Sequence, residues 1–594
     1  MSVLERALTT WTELQSLGRA LPELPLLNPL GHRSCARLLQ QLAAESPNQV
    51  GLAYRHERWT WKQIGQQANR YAHFAVQQHV RRGDVVALLM DNRPDYLCIV
   101  SGLNRAGIIT ALINTHVTGT ALVHAIKSAK AKVLLVGSEH LGTIEPVLDA
   151  LPGVSKPHNV WVQLDPERQD LATRFRLIND AVAASSVEEL RQRPWPSTLD
   201  PMCYIYTSGT TGLPKAAIVS NQRWLEGALV FARIIGEMTA KDVLYMTLPL
   251  YHSTGVIAAW GAVVMSGATM GLRRKFSASR FWEDVREFDA TIFIYIGELC
   301  RYLLAQPPTP PERRHHLRIC IGNGLRADIW RKFQSRFRIP LIREYYGATE
   351  GNLGLCNLEG RPGMIGRLLP GVAVVRCDAS TGAIIRNADG RCESVAVGER
   401  GLLLGRINTL MRFDGYLDRA ATRKKVLRDV FTQDDAYFNT GDLVQLHDDG
   451  WVSFADRVGD TFRWKGENVS THQVAEILSG AKGLREANVY GVHVNGAEGR
   501  AGMASVVVAD GFDLAAFARY VVTNLASYER PYFLRVVPDM HITGTFKHCK
   551  VDYCAEGYDP TTVKDPLYYL DGKQYVPIDA TLYSRLAAGE AGPR

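Results

Sequence analysis

The sequence predicts an α/β protein: a large N-terminal domain of two β/α subdomains plus a small β-barrel, followed by a hinged, smaller α+β C-terminal domain. Three observations carry this expectation. Strand-like apolar runs alternate with helix-like segments through the first two-thirds of the chain, short β-rich pieces take over near residue 370, and a compact mixed texture follows Asp456. Such alternation is the signature of parallel sheets covered by helices.

The first series reads VVALLM (85–90), DYLCIVSGLNRAG, IITALIN (108–114), LVHAIKSAKA and KVLLVG (132–137). A second repeats the architecture without repeating the sequence: DVLYMTLPL (242–250), the segment 253–272, FWEDVREFDA, TIFIYIG (291–297) and LRICIGNG (317–324). VAVVRCD, GLLLGR and LVQLHDDGWVSF, separated by Gly, Asp and Asn, read as a small antiparallel barrel or sandwich. Beyond Asp456 come a helix THQVAEILSG, strands ANVYGVHV and ASVVVAD, a helix FDLAAFARYVVTNL and a strand FLRVVP. The polar junction ADRVGDTFRWKGENVS sets the expected boundary, with residues 1–455 as the large domain and 456–594 as a mobile one. The proline-rich pieces PPTPPERRHH (307–316) and RPWPS (193–197) read as surface loops.

Composition narrows the class. The chain has 594 residues, 46% hydrophobic and 22% charged, which excludes a disordered tail and a fibre. Sixty-eight Lys and Arg against 60 Asp and Glu leave +8, a balance suited to anionic small substrates or a lipid surface. No basic stripe or aromatic module supports a nucleic-acid partner. The ten cysteines are scattered with no C-x-x-C pair, so reduced thiols in the cytoplasm are expected. The first 30 residues never build the apolar core of a signal peptide. Residues 253–272 match a membrane span in length but are about half Gly, Ser, Thr and Ala, which favours a buried helix. Contact with the inner face of a membrane is then peripheral, through the net positive charge.

The most informative stretch is MCYIYTSGTTGLPKAAIVSNQRW (202–224). The apolar strand CYIY runs into Thr207, Ser208, Gly209, Thr210, Thr211 and Gly212, then Pro214 and Lys215, with a helix expected next. Small residues let backbone N–H groups and hydroxyls close around phosphate oxygens, and lysine adds a point charge. It is not a Walker loop, because Gly212 and Lys215 are separated by Leu-Pro.

TSGTTGLPK resembles the phosphate-binding loop of the acyl-adenylate-forming superfamily, which includes acyl-CoA synthetases, luciferases and peptide-synthetase adenylation domains. Further motifs similar to that family's follow in order: YHSTG (251–255), IGNGLR (321–326), YYGATEGN (345–352), NTGDL (439–443), DRVGDTFRWKGENVS (456–470) and TGTFKHCK (543–550). The forms YGATEGN, DTFRWKGENVST and TGTFKHCK, with the terminal DPLYYLDGKQYVPID, resemble the fatty acid transport protein or very-long-chain acyl-CoA synthetase branch. The resemblance covers about residues 40–585.

It implies ATP, Mg²⁺ and coenzyme A as cofactor and co-substrates, a fatty acid as substrate, and a role for each motif. Glu350 would hold Mg²⁺, Thr349 would touch a phosphate and Tyr346 would stack on adenine, chemistry that a carboxylate, a hydroxyl and an aromatic between glycines can perform. Gly322, Asn323 and Gly324 would lie against the base, Asp442 would take the ribose diol with Arg457 as its partner, and Lys465 would present the Gly466 loop to the thioester step after rotation about Asp456. As bare patterns, an Asp in a turn and a Lys on a solvated loop are equally ordinary. His252 shapes the acyl-pocket entrance; no general base is needed, because a fatty acid with a carboxyl pKa near ~4 to 5 arrives ionised. Lys547 is the expected catalytic cation. The motif carries Phe546 where many relatives carry glycine, and Lys550 is a second candidate. Val256–Met270 is the expected tunnel lining, with Gly261 as its probe. The competing functions are a CoA ligase for a bile acid, a carnitine-like acid or a short branched acid, a fatty acid uptake protein with coupled activation, and a luciferase-type oxygenase.

Overall fold

The computed structural model describes residues 15–592 apart from 17, 152, 155, 167–172, 208–212, 379–380, 410, 466, 496, 498 and 544–547, and for 157 the backbone alone. By packing, the chain divides into two compact units, 1–362 with 412–424, and 363–411 with 425–594. The boundary expected at 455/456, where the sequence texture changes, lies inside the second of these units, which also takes in 363–411 and 425–455.

Two sheets build the first unit. One runs Arg176–Leu177, Val160–Gln163, Val133–Gly137, Val85–Leu89, Ile109–Leu112, Pro201–Thr207, Lys215–Ser220 and is parallel except for its last pair. The other runs Gly354–Asn357, Leu341–Gly347, Ile319–Asn323, Ile292–Ile296, Val243–Met246, Thr269–Leu272, Val50–Tyr54, Glu57–Thr60, with antiparallel edges only. The central strands are buried along their whole length, as helix-covered parallel strands must be. Helices Pro94–Arg105 and Gly119–Ser128 lie where the sequence predicts them.

Two local expectations change. The segment after Lys215 is first a strand, Lys215–Ser220, and only then a helix, Asn221–Leu229, capped by the Ser220 hydroxyl. The 253–272 stretch is a π-helical turn, Thr254–Ala259, then a helix, Trp260–Ser266, then the strand Thr269–Leu272. It is buried against Asn221–Leu229, and Trp224 Nε1 donates to the Val256 carbonyl at 2.8 Å. A Cβ on Gly261 would come within 2.9 Å of Ala228 Cβ and 3.1 Å of its Cα, so bulk there presses on a helix backbone and does not probe a tunnel wall. No helix among the described residues is long and apolar enough to cross a membrane.

The second unit holds an antiparallel sheet in the order Gly366–Arg367, Trp451–Arg457, Ala436–Leu446, Arg400–Arg406, Val372–Val375, with Val426–Arg428 also on Ala436–Leu446. Beyond the junction, Leu484–His493, Arg500–Val508, Pro531–Val536, Leu567–Asp571 and Gln574–Pro577 form a five-stranded sheet. Val489, Met503, Val506, Phe517, Val521 and Phe533 fill its core, together with residues of the helices Thr471–Leu478 and Leu514–Asn524.

Candidate active site

Open α/β sheets bind ligands beyond the carboxyl ends of their strands, because side chains and loops converge there and the helix N-termini face outward. The motifs of the first unit fall at these ends. Thr207 pairs with Lys215 across the antiparallel hairpin, so the Thr/Ser/Gly loop is the connection of two paired strands. Residues 208–212 themselves lie outside the described residues. Lys215 begins the return strand, near Asp418, whose carboxyl is held below its usual range first by the backbone N–H groups of Ala421 and Ala420 and further by Lys215.

Segment 412–424 packs onto that same strand. Ile218 N donates to Gly415 O and Leu417 N to Ala216 O, and the Asp414 carboxylate accepts from the Ser220 hydroxyl at 2.6 Å. This pairing delivers Tyr416, 7% exposed, to Glu350: its hydroxyl donates to Oε1 at 2.8 Å. Glu350 is thereby tied to the strand Lys215–Ser220.

At the ends of the second sheet, the structure brings the His252 and Thr349 loops together. Ser253 Oγ lies 3.0 Å from Thr349 Oγ1, and Thr254 Oγ1 lies 3.2 Å from the Tyr345 hydroxyl. His252 Nδ1 faces the hydroxyls of Thr254 and Ser253 at 3.3 and 3.4 Å. Asn92, buried, fixes the approach to that loop by donating to Leu248 O and accepting from Leu250 N, each at 2.8 Å. Tyr346 ends its strand partly exposed, beside Gly347. Gly322 and Asn323 close the neighbouring parallel strand, and Gly324 takes φ +75°, which favours glycine.

In the second unit, Asp442 is 4% exposed, its N–H donates to Thr440 Oγ1, and its Oδ1 accepts from Arg457 Nε at 3.1 Å. The expected pairing of these two residues is thus formed, through the register Asp442 to Arg457 of adjacent strands. Next to them, Asp456 accepts from Thr471 N at 2.7 Å and from Arg457 N at 2.9 Å. Lys465 stands at the tip of the hairpin of Phe462–Trp464 and Glu467–Val469, exposed, with φ 51° and its Nζ 5.6 Å from the Tyr532 ring. Lys550 donates to Asp460 at 3.1 Å and to Thr471 Oγ1 at 2.5 Å, so it braces the junction. Lys547 lies outside the described residues.

Sequence reasoning missed Asn92, Tyr416 and Asp414, whose partners are remote in sequence. The clue available was the pair of polar side chains in FDGYL following a long β-rich stretch, too common a pattern to single out.

Helix-covered parallel sheets whose strand ends carry a hydroxyl- and carboxylate-bearing turn define the first unit as an α/β enzyme domain, and the second unit carries its own carboxylate–guanidinium pair. The chain belongs to the AMP-binding enzyme family, within the branch of the long-chain fatty acid transport proteins. The AMP-binding enzyme family matches residues 39–412, and the AMP-binding enzyme C-terminal domain matches residues 473–547. The chain is similar to long-chain fatty acid transport protein 6 of Mus musculus, 41% identical over 92% of this chain and 89% of that protein. It is also similar to the medium/long-chain-fatty-acid–CoA ligase FadD6 of Mycobacterium tuberculosis, 39% identical over 95% and 93%. The fold is shared with ATP-bound MatB from Rhodopseudomonas palustris, with a TM-score of 0.74 at 22% identity over 88% of this chain and 98% of that one.

Proposed function

We propose that this protein is an AMP-forming ligase that joins a long- or very-long-chain fatty acid to coenzyme A through an acyl-adenylate. The observation that carries the reading is the gathering in one compact unit of the strand closing the Thr/Ser/Gly loop, Tyr416 and Glu350, in a chain about 40% identical to fatty acid transport proteins and a fatty-acid–CoA ligase.

The chemistry runs in two displacements. A carboxylate oxygen of the fatty acid attacks the α-phosphorus of ATP, the bond to the bridging oxygen breaks, and pyrophosphate leaves. The coenzyme A thiol, losing its proton, then attacks the acyl carbon and expels AMP. The loop 207–212 and Lys215 hold the phosphates, Thr349 touches one of them, Tyr346 and the turn Gly322–Asn323–Gly324 take the base, and Asp442 with Arg457 takes the ribose diol. His252 borders the acyl entrance. Lys547 stabilises the charge that builds on the phosphoryl oxygens, and rotation about Asp456 replaces it with the Lys465 hairpin for the thioester step.

Glu350 and Thr349 are hard oxygen donors, and one carboxylate completed by phosphate oxygens and water is the usual Mg²⁺ set. Mg²⁺ held there would offset the negative charge of the phosphates. Tyr416→Phe removes only the hydroxyl that holds Glu350. It should raise the Mg²⁺ concentration needed for half-maximal adenylation about tenfold or more with little change in thermal midpoint, as the loss of one hydrogen bond to a charged group implies; an unchanged Mg²⁺ titration would remove Tyr416 from the site.

A carboxylate panel from short to very long chains, assayed for AMP with and without coenzyme A, tests the reading. Acyl-dependent AMP release should peak at long chains, because each buried CH₂ contributes about 0.8 kcal/mol, and multiple turnovers should need coenzyme A. Absence of AMP release at every length would overturn it, and a peak on a bile acid or a carnitine-like acid would select the alternative substrate. The relatives' naming as transport proteins favours a second role, uptake drawn forward by activation, in which the acid is trapped as its CoA ester. The cytoplasm, with peripheral contact at the inner face of a membrane, is the matching location, and none of the ten thiols is in a disulfide.

A further inference from the structure

Glu344 is a buried carboxyl that the reaction above does not use. It lies at 4% exposure on the strand Leu341–Gly347, two residues before Tyr346 and therefore on the same face of the strand. Its Oε1 accepts from Leu325 N at 2.6 Å and from the Tyr295 hydroxyl at 3.1 Å. Leu325 follows Gly324, where the chain leaves the strand in the left-handed conformation and its next N–H loses the ladder partner a strand would supply. A buried N–H needs an acceptor, and Glu344 is that acceptor.

The same turn is closed from two other directions. A Cβ on Gly322 would sit 2.4 Å from Tyr295 O, and one on Gly297 would sit 1.8 Å from Gly324 O. The turn is therefore clamped between strand Ile292–Ile296, the first residue of helix Gly297–Ala305, and Glu344. Of these clamps only Glu344 reaches it through a side chain on the strand that also carries Tyr346.

We propose that Glu344 is a positioning residue for nucleotide-base recognition: by holding Leu325 N and Tyr295 it fixes the Gly322–Asn323–Gly324 turn in register with Tyr346 on the adjacent strand. This rests on the reading that the turn and Tyr346 receive adenine. Burial pushes the Glu344 carboxyl up to about 8, with the bonds from Leu325 and Tyr295 opposing, so near neutral pH the group is mainly the uncharged acid. Glutamine therefore reproduces both its shape and its acceptor, and methionine keeps the length but not the acceptor.

The test measures binding of AMP and of ribose 5-phosphate to the full chain by calorimetry. Glu344→Gln should keep both dissociation constants within about threefold. Glu344→Met should weaken AMP about tenfold or more while leaving ribose 5-phosphate within about threefold, since a misplaced turn affects only the ligand with a base. Equal weakening of both ligands, or wild-type AMP affinity in a folded Glu344→Met protein, would overturn the assignment. If the methionine variant does not fold, Tyr295→Phe, which removes one hydroxyl, should weaken AMP about threefold with ribose 5-phosphate unchanged, and unaltered AMP affinity there would overturn it as well. Failure of the wild-type protein to bind AMP would instead count against the proposed function.

Discussion

Replacing Lys547 with alanine should slow adenylate formation by about 10²- to 10³-fold, the loss typical when one donor to a charge developing in a transition state is removed. Attack of a carboxylate on the α-phosphorus brings two anions together and adds charge to the phosphoryl oxygens. An ammonium delivered to that point is worth more in the transition state than in the ground state, so the loss should fall on the rate and leave ATP affinity nearly intact. Single-turnover pyrophosphate release without coenzyme A is the direct measurement. Supplying pre-formed acyl-adenylate should restore thioester formation to within a few-fold of the unmodified protein. An undiminished rate of pyrophosphate release would refute the role.

Lys550 is the internal control. Its ammonium is bound to Asp460 and Thr471, and Thr471 in turn bonds to the Asp456 carboxylate. A lysine tied into the junction has little freedom to visit a phosphorus atom. That leaves Lys547, by its register in TGTFKHCK, as the cation proposed for catalysis.

The parts of the fold that were legible share one property: their signal is local. Val85–Leu89, Ile109–Leu112, Val133–Gly137 and Ile292–Ile296 are continuous apolar runs because both of their faces are covered, and such runs stand out. Lys215–Ser220 was hidden because KAAIVS is as good a helix start as a strand, and its state is decided by Pro201–Thr207 and by residues 415–417 beside it. Thr269–Leu272 was hidden inside one long apolar stretch whose breaks are made by partners in space. The site divides in the same way. Glycine and hydroxyl clusters announce themselves in sequence, whereas Tyr416 acts on Glu350 from 66 residues away and Asn92 acts on Leu248 from 156. Glu344 stands immediately before a recognised motif, yet the role proposed for it depends on Tyr295, on another strand, and on Leu325, in the turn after a third.

The largest stability effect should come from Arg274, outside every motif. It follows strand Thr269–Leu272 of one sheet and meets carboxylates at the strand ends of the other: Asp91 at 2.9 Å, Asp165 at 2.5 Å and Glu139 at 3.9 Å. Arg93 engages Glu139 at 2.8 Å, and His140 reaches Asp91 at 2.8 Å. Asp165 and Arg93 are each 3% exposed, while the side chains of Arg274 and Asp91 keep 21% and 11% of their surface, so the cluster is partly desolvated and its charges depend on one another. With Arg274 removed, Arg93 is left to face Asp165 and Glu139 while Asp91 keeps His140. Breaking a fully buried pair from one side costs about 3–5 kcal/mol, and because Arg274 is partly exposed, Arg274→Ala should lose about 2–3 kcal/mol in chemical denaturation at pH 7. Arg274→Lys should recover only part of it, because a single ammonium cannot span Asp91 and Asp165 as the guanidinium fork does. The pH dependence has a definite sign. Burial raises the Asp91 carboxyl, but the bonds from His140 and Arg274 outweigh it and hold the group well below its usual range, so its contribution is present above about pH 4 and fades on acidification. In Arg274→Ala the Asp91 carboxyl, without the guanidinium, takes up its proton at higher pH, so the deficit should be full at pH 7 and narrow on acidification. A deficit below 1 kcal/mol, or one that widens on acidification, would mean that the two sheets are held together by apolar packing alone.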